Sequence, residues 1–245
     1  MNDNSILSVE DVHVYYGSSH VLQGVSIALQ DGVAGIIGRN GMGKTTLVRA
    51  IMGLVPVKSG TIKFNNEVIT NLKPYQIAGR GIGYVPQGRA LFPSLSVEEN
   101  LKLAARTRTG KDWTIERVYD LFPILQQKAK QGASLLSGGQ QQMLAIGRAL
   151  VTNPTLLILD EPSEGLAPVI LDEIIETFHK LAQSGIGLLL VEQNLHTIIS
   201  LEKDNLYVMV AGKIAQKVNS ELLLHDKKAR EQLLGVAQQD TPVSS

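Results

Sequence analysis

The sequence predicts an α/β fold: a core of largely parallel strands, an antiparallel β-subdomain at its N-terminal end and an α-helical subdomain inserted midway. Three observations carry this. Short apolar runs with strand spacing, broken by glycine and aspartate, fill residues 6–37. Strand runs alternate with helical periods on either side of the middle, as in a parallel sheet covered on both faces. The middle itself, roughly 88–154, carries only helical periods.

Taken in order, Ile6-Leu7-Ser8-Val9, Val12 to Tyr16, Val21 to Leu29 and Val33 to Ile37 read as strands, bounded by Gly17, Gly24 and Asp31-Gly32. After Gly43 the spacing turns helical through Leu47, Ile51 and Leu54, and Gly53 and Pro56 mark its end. Residues 60–69 suggest a hairpin, and Ile82 to Val85 a short strand. Helical patterns follow at 97–106, opened by the capping-box pair Ser96 and Glu99, at 114–121 and at 138–152. Leu156 to Leu159 is a buried strand, a helix follows Pro168, and Gly187 to Val191 is a further buried strand. Residues 236–245 are small, polar and aperiodic, as expected of a flexible tail.

Composition narrows the function. At 245 residues the chain has room for one or two domains of roughly 150 residues. Lys plus Arg and Asp plus Glu are 23 each, so the net charge is zero and the footprint of a dedicated nucleic-acid binder is missing. Without cysteine there is no disulfide framework, thiolate metal site or cysteine nucleophile. Met1-Asn2-Asp3-Asn4 lacks the pattern of a signal peptide, and no run is apolar enough for a membrane span. A cytoplasmic chain is expected, reaching a membrane only by docking on something else.

Gly38-Arg39-Asn40-Gly41-Met42-Gly43-Lys44-Thr45 satisfies the phosphate-loop pattern and lies between an apolar strand and a helical period. Its glycines let backbone N–H groups wrap phosphate, at the positive end of the following helix. Lys44 is then expected on the β- and γ-phosphate oxygens and the Thr45 hydroxyl on magnesium. The competing reading is a glycine-rich turn that merely caps a helix.

The strand Leu156 to Leu159 delivers Asp160 to its carboxyl end, where open α/β sheets bind ligands, and a carboxylate there can hold the magnesium shell. Glu161 beside it is free to act as general base on water. Taken alone, the same residues describe a strand leaving the core. Ser137 and Gln140 within Leu136-Ser137-Gly138-Gly139-Gln140 form another capping-box pair. The two glycines are poor helix formers, better explained by close approach of a ligand to that backbone. One nucleotide site has no use for a second phosphate-binding helix start, which suggests a second subunit.

With the phosphate loop, Tyr84-Val85-Pro86-Gln87, Leu136 to Gln140 and Leu159-Asp160-Glu161-Pro162 in this order, the chain resembles an ATP-binding-cassette (ABC) transporter ATPase, a P-loop NTPase, over about residues 5–235. The resemblance implies one ABC ATPase domain, with its nucleotide-binding core at 5–87 and 155–235 and its helical subdomain at 88–154. It implies ATP and magnesium as cofactors, bound by Gly38, Arg39, Asn40, Gly41, Met42, Gly43, Lys44, Thr45 and Thr46, with Tyr16 stacked on adenine. Magnesium falls to Thr45, Gln87 and Asp160. Gln87 also links core to helical lobe and stands with Glu161 and Gln193 among the catalytic residues. Ser137, Gly138, Gly139 and Gln140 act on the nucleotide of a partner ATPase, in a head-to-tail homo- or heterodimer. The further partners implied are transmembrane permease subunits and, indirectly, a solute-binding protein, placing the chain peripherally on the cytoplasmic face of the inner or plasma membrane.

Two positions depart from the commonest family pattern. Gln193 stands where a histidine usually contacts the γ-phosphate, and Ala167 where an aspartate usually reaches across the dimer. Gln193 can donate an amide hydrogen bond but cannot titrate. His196, three positions on, is a candidate substitute. With Glu192-Gln193-Asn194 and the stretches 38–46, 83–92, 140–150 and 161–168, the chain is similar to one of the two ATPases of branched-chain amino acid uptake systems. Pro86-Gln87-Gly88-Arg89 also resembles urea and amide importers, and the cassette resembles non-transport proteins acting on ribosomes or DNA. A regulatory subunit that scarcely hydrolyses ATP is a third possibility. Leu91-Phe92-Pro93 is an apolar tip for a membrane subunit's helix, or else packs against the helix opening at Ser96.

Overall fold

The structure, a computed structural model, describes residues 5–105, 112–202 and 204–225. Strands β1 (Leu7–Tyr16) and β2 (Ser19–Leu29) form a long hairpin, followed by β3 (Val33–Ile37) and α1 (Lys44–Ile51). Next come β4 (Ser59–Phe64), β5 (Glu67–Val68), α2 (Pro74–Gly79) and β6 (Ile82–Val85). The helical stretch holds α3 (Val97–Ala105), α4 (Ile115–Leu121), α5 (Pro123–Gln127) and α6 (Gly138–Leu150). The chain continues through β7 (Leu156–Asp160), α7 (Pro168–Gln183), β8 (Gly187–Glu192), α8 (Leu195–Leu201), β9 (Leu206–Val210), β10 (Lys213–Val218) and α9 (Ser220–His225).

Two sheets result. The first is antiparallel, in the order β2-β1-β4-β5; the second runs β10-β9-β3-β8-β7-β6, parallel except for β10 at its edge. The α/β fold with an antiparallel β-subdomain is as the sequence predicts. The two runs expected at 6–9 and 12–16 are one strand, with register shifts between Val9 and Val12 and a left-handed Asp11. That irregularity is a bulge, which interrupts alternation without ending pairing.

Alternate residues of the parallel strands feed different cores. Ile158, Leu189 and Val191 pack with Leu47, Ile51 and the antiparallel sheet, while Leu157, Leu159, Leu188 and Leu190 pack with Phe178 of α7 and Leu144 and Ile146 of α6. The two-residue side-chain period of a strand makes this division. Gly147 lets α6 approach α4, since a Cβ there would lie 2.6 Å from Val118 Cγ1. The Tyr207 hydroxyl joins the sheets, donating to Ala28 O at 2.9 Å and accepting from Ala28 N at 3.1 Å.

Helix starts follow their sequence signals. Ser96 and Glu99 exchange the two bonds of a capping box, as do Ser137 and Gln140, and Pro168 occupies the first turn of α7. Helices α2 and α5 were not foreseen: at six and five residues they are too short for a helical period to register. The expected tail at 236–245 lies outside the described residues.

Candidate nucleotide site

The loop after β3 is shaped by its neighbours. A Cβ on Gly38 would stand 2.5 Å from the Met209 carbonyl, so only glycine fits beside β9. Gly43 takes φ 104°, a left-handed value natural to glycine, and α1 begins at the next residue. No side chain caps α1, so its first N–H groups stay open to an anion. In front of them is a cavity of about 230 Å³, lined by Asn40, Gly41, Gly43, Lys44, Thr45 and Thr46, together with Val21, Gln87 and Glu161.

Lys44 and Glu161 bring opposite charges into this space. Lys44 is buried, and its ammonium donates to Gly38 O at 2.8 Å and Arg39 O at 3.2 Å and pairs with Glu161 Oε1 at 3.0 Å. Glu161, expected to stand free, is therefore held by a cation, and its φ of 51° is a strained backbone for a non-glycine residue at the strand end. Gln87 Nε2 donates at 3.1 Å to both Glu161 Oε2 and Glu164 Oε2. Asp160 accepts from the Thr45 hydroxyl at 3.3 Å and the Tyr84 hydroxyl at 3.4 Å. Burial, helped by the negative Glu161, pushes its carboxyl up to about 6 against the pull of Thr45, Lys44 and Tyr84. Burial and the charge of Asp160 likewise raise the Tyr84 phenol, so it remains a donor.

The structure brings Lys44, Thr45, Gln87, Asp160 and Glu161 together, and it places other expected residues elsewhere. The Met42 sulfur faces the turn after β9, accepting from Ala211 N at 3.2 Å. Tyr16 is exposed at the end of β1. Gln193 and His196 are exposed beyond β8, and neither lines the cavity. Nor do Ser137, Gly138, Gly139 or Gln140. The two glycines differ in cause. A Cβ on Gly139 would meet Ile170 Cγ2 at 2.6 Å, so helix packing, not a ligand, already requires glycine there. What a Cβ on Gly138 would meet first is the Arg89 guanidinium, at 3.3 Å.

Sequence reasoning passed over several residues here. Arg89 bonds Gln141 Oε1 at 3.3 Å and Glu164 O at 3.4 Å, joining the loop after Gln87 to α6 and to the loop after Glu161. Its neighbours on the chain share a left-handed run, with φ 75° at Gly88, 70° at Arg89 and 44° at Ala90. Tyr84 contacts Asp160 directly, and Glu164 shares the Gln87 amide with Glu161. The signal that could have found Glu192 is the one that found Asp160, a carboxylate at the end of an apolar strand.

The chemistry of the set fits a triphosphate with magnesium. The helix start and Lys44 offer anion donors, while Thr45 offers a hard oxygen on the cavity wall and Asp160 another directly behind it. Among the described residues no group of three or more His, Asp or Glu is placed to hold a metal ion.

Comparison with known proteins agrees with this geometry. Residues 22–164 match the ABC transporter family. The chain is 40% identical over 233 residues to the high-affinity branched-chain amino acid transport ATP-binding protein BraG of Pseudomonas aeruginosa, covering 94% of this chain and 100% of that one. It is 32% identical over 239 residues to the lipopolysaccharide export system ATP-binding protein LptB of Haemophilus influenzae, covering 94% and 98%. Its fold matches the ADP conformation of MJ1267, an ATP-binding cassette of an ABC transporter, with TM-score 0.80 at 30% identity over 93% and 97% of the two chains. The phosphate loop, the paired strand-end carboxylates and these likenesses agree: the chain belongs to the ABC transporter family and is an ATP-binding, ATP-hydrolysing subunit of that family.

Proposed function

We propose that this chain energises an importer of branched-chain or related amino acids. The observation that carries this reading is the likeness to BraG across the whole length of that relative. Export is the second reading, favoured by the weaker likeness to LptB.

In the proposed cycle the γ-phosphate of ATP competes with Glu161 for the Lys44 ammonium. Releasing Glu161 leaves a carboxylate 3.1 Å from Gln87 Nε2, able to accept a proton from water in line with the phosphate. Magnesium, held by Thr45 and Asp160 with Gln87 nearby, would supply charge neutralisation on the phosphate oxygens. Tyr16 receives adenine, and Gln193 reaches the γ-phosphate once the loop beyond β8 closes. Ser137, Gly138, Gly139 and Gln140 serve a partner ATPase's nucleotide, so ATP favours the closed pair and hydrolysis releases it.

A permease helix fits the larger cavity, about 720 Å³, lined by Tyr75, Tyr84, Phe92, Leu103 and Arg148. Phe92 is half-exposed there and would meet such a helix, while Leu91 packs on the helical core. Tyr84 touches both this cavity and Asp160, a route from membrane partner to nucleotide. Among the described residues no helix is long and apolar enough to cross a membrane.

The test is affinity capture of the tagged chain from gently solubilised native membranes, followed by ATPase assay of the captured complex. Recovery of permease subunits and a solute-binding protein, with turnover stimulated by leucine, isoleucine or valine, is expected. Stimulation by urea or short amides would move the substrate class, and capture of ribosomal or DNA-associated proteins alone would overturn transport.

A further inference from the structure

Glu192 is a buried carboxylate, 1% exposed, for which the nucleotide chemistry above has no use. It ends β8, which lies between β3 and β7, the strands leading to the phosphate loop and to Glu161. Its side chain bonds both ways. Oε1 accepts from Ser163 N at 3.0 Å, in the loop after Glu161, and Oε2 accepts from Gln193 N at 3.1 Å and Asn194 N at 3.2 Å. Its own carbonyl accepts from Gly38 N at 3.3 Å, at the start of the phosphate loop. Three loops of the site therefore meet on one residue.

The residue type follows from the task. A carboxylate carries two acceptor oxygens and no donor, so it can serve N–H groups arriving from two loops at once. A glutamine of the same shape would turn a donor toward one of them, and an aspartate is one methylene too short to span both. Burying a charge here is costly and tolerable only because each oxygen is satisfied.

We propose that Glu192 is a positioning residue that locks the Glu161–Ser163 turn to the Gln193 turn, so that the general base and the γ-phosphate contact move as one unit. This rests on the reading of Glu161 as the base. Glu161 N also donates to Val191 O at 2.8 Å, so the base is tied to the same strand end by its backbone. Fixing both contacts at once matters because displacement by an ångström costs on the order of 100-fold in rate.

The experiment compares full-length wild type, Glu192→Gln and Glu192→Asp by ATP binding, steady-state hydrolysis and amide hydrogen exchange of the peptides spanning 161–167 and 193–198. For Glu192→Gln we expect ATP affinity within about threefold of wild type, kcat lower by about 10- to 100-fold at little-changed KM, and faster exchange in both peptides. Glu192→Asp, which keeps the charge, should fail to restore kcat, and it serves alone if the glutamine variant does not fold. Turnover and exchange like wild type in either variant would overturn the proposal, as would faster exchange with undiminished kcat, which would leave Glu192 a purely structural clamp. If wild type itself does not turn over, the reading of hydrolysis falls, and exchange alone decides the coupling of the loops: joint acceleration upholds it, and unchanged or single-loop exchange overturns it.

Discussion

Lys44 Nζ and Glu161 Oε1 are 3.0 Å apart, with both side chains almost withdrawn from water. The two groups proposed to act separately on phosphate and on water thus begin as an ion pair. Each stabilises the other's burial, and removing one charge leaves the other to be satisfied by neutral neighbours.

Glu161→Gln removes the base and leaves one acceptor oxygen where Lys44 and Gln87 each donate, so only one of the two contacts can persist unchanged. ATP binding is expected to hold or tighten, because the phosphate no longer competes with a carboxylate for Lys44, while turnover falls by about 100-fold or more. Nucleotide titration alongside phosphate release checks this, and wild-type turnover would remove Glu161 from the role of base.

Asp160 makes the bare protein sensitive to pH. Its folded pKa of about 6 lies above the ordinary 3.8, so the native state binds the extra proton between those values. Stability from this group therefore rises as pH falls through 6, and the burial penalty is complete above it. In the absence of nucleotide and magnesium, Asp160→Asn should stabilise at pH 7.5 by on the order of 2 kcal/mol, with the gain shrinking toward pH 5. Thermal melts at both pH values test it; a gain independent of pH would refute the buried charge as its cause.

Gly139→Ala and Gly138→Ala should part company. At position 139 the new methyl runs into Ile170, and a loss of about 1–3 kcal/mol is expected. At 138 the methyl meets only a movable guanidinium, so stability should change by less than about 0.5 kcal/mol. Urea denaturation separates the two, and equal losses would contradict the packing.

Asn100 is fully buried on α3, and its amide donates to Phe92 O at 3.1 Å, Leu95 O at 3.3 Å and Ser96 O at 2.9 Å while accepting from Phe92 N at 3.1 Å. Asn100→Ala leaves these backbone groups without it. A loss of about 2–4 kcal/mol is expected, with proteolysis of the 89–96 loop accelerated. An intact loop in that variant would show that the clamp is redundant.

Much of this was legible in the sequence. The phosphate loop, the strand-end carboxylate Asp160 and the caps at Ser96 and Ser137 are local patterns whose physics fits within a few residues. The Lys44–Glu161 pair was not, because composition and spacing place both at the site without saying that they touch. The packing at Gly139 was hidden for a related reason: Ile170, which by itself forbids a side chain there, is brought close only by the packing of α7 on α6. Glu192 was overlooked because the neighbouring Gln193 drew the functional reading, whereas its role lies in backbone groups from other loops. No element between 195 and 225 is predicted from the sequence, where the structure has α8, β9, β10 and α9.

The sharing of one core by α6, α7 and the outer face of β7 and β8 has a consequence for cooperativity. Leu144 and Ile146 lie in one continuous buried cluster with Phe178 and with Leu157, Leu159, Leu188 and Leu190 of the strands, so the core of the inserted helices runs on into that of the sheet. Heating should melt the bare chain in a single calorimetric transition, and a fragment cut at 88–154 would leave its apolar face bare and aggregate instead of folding as an autonomous module.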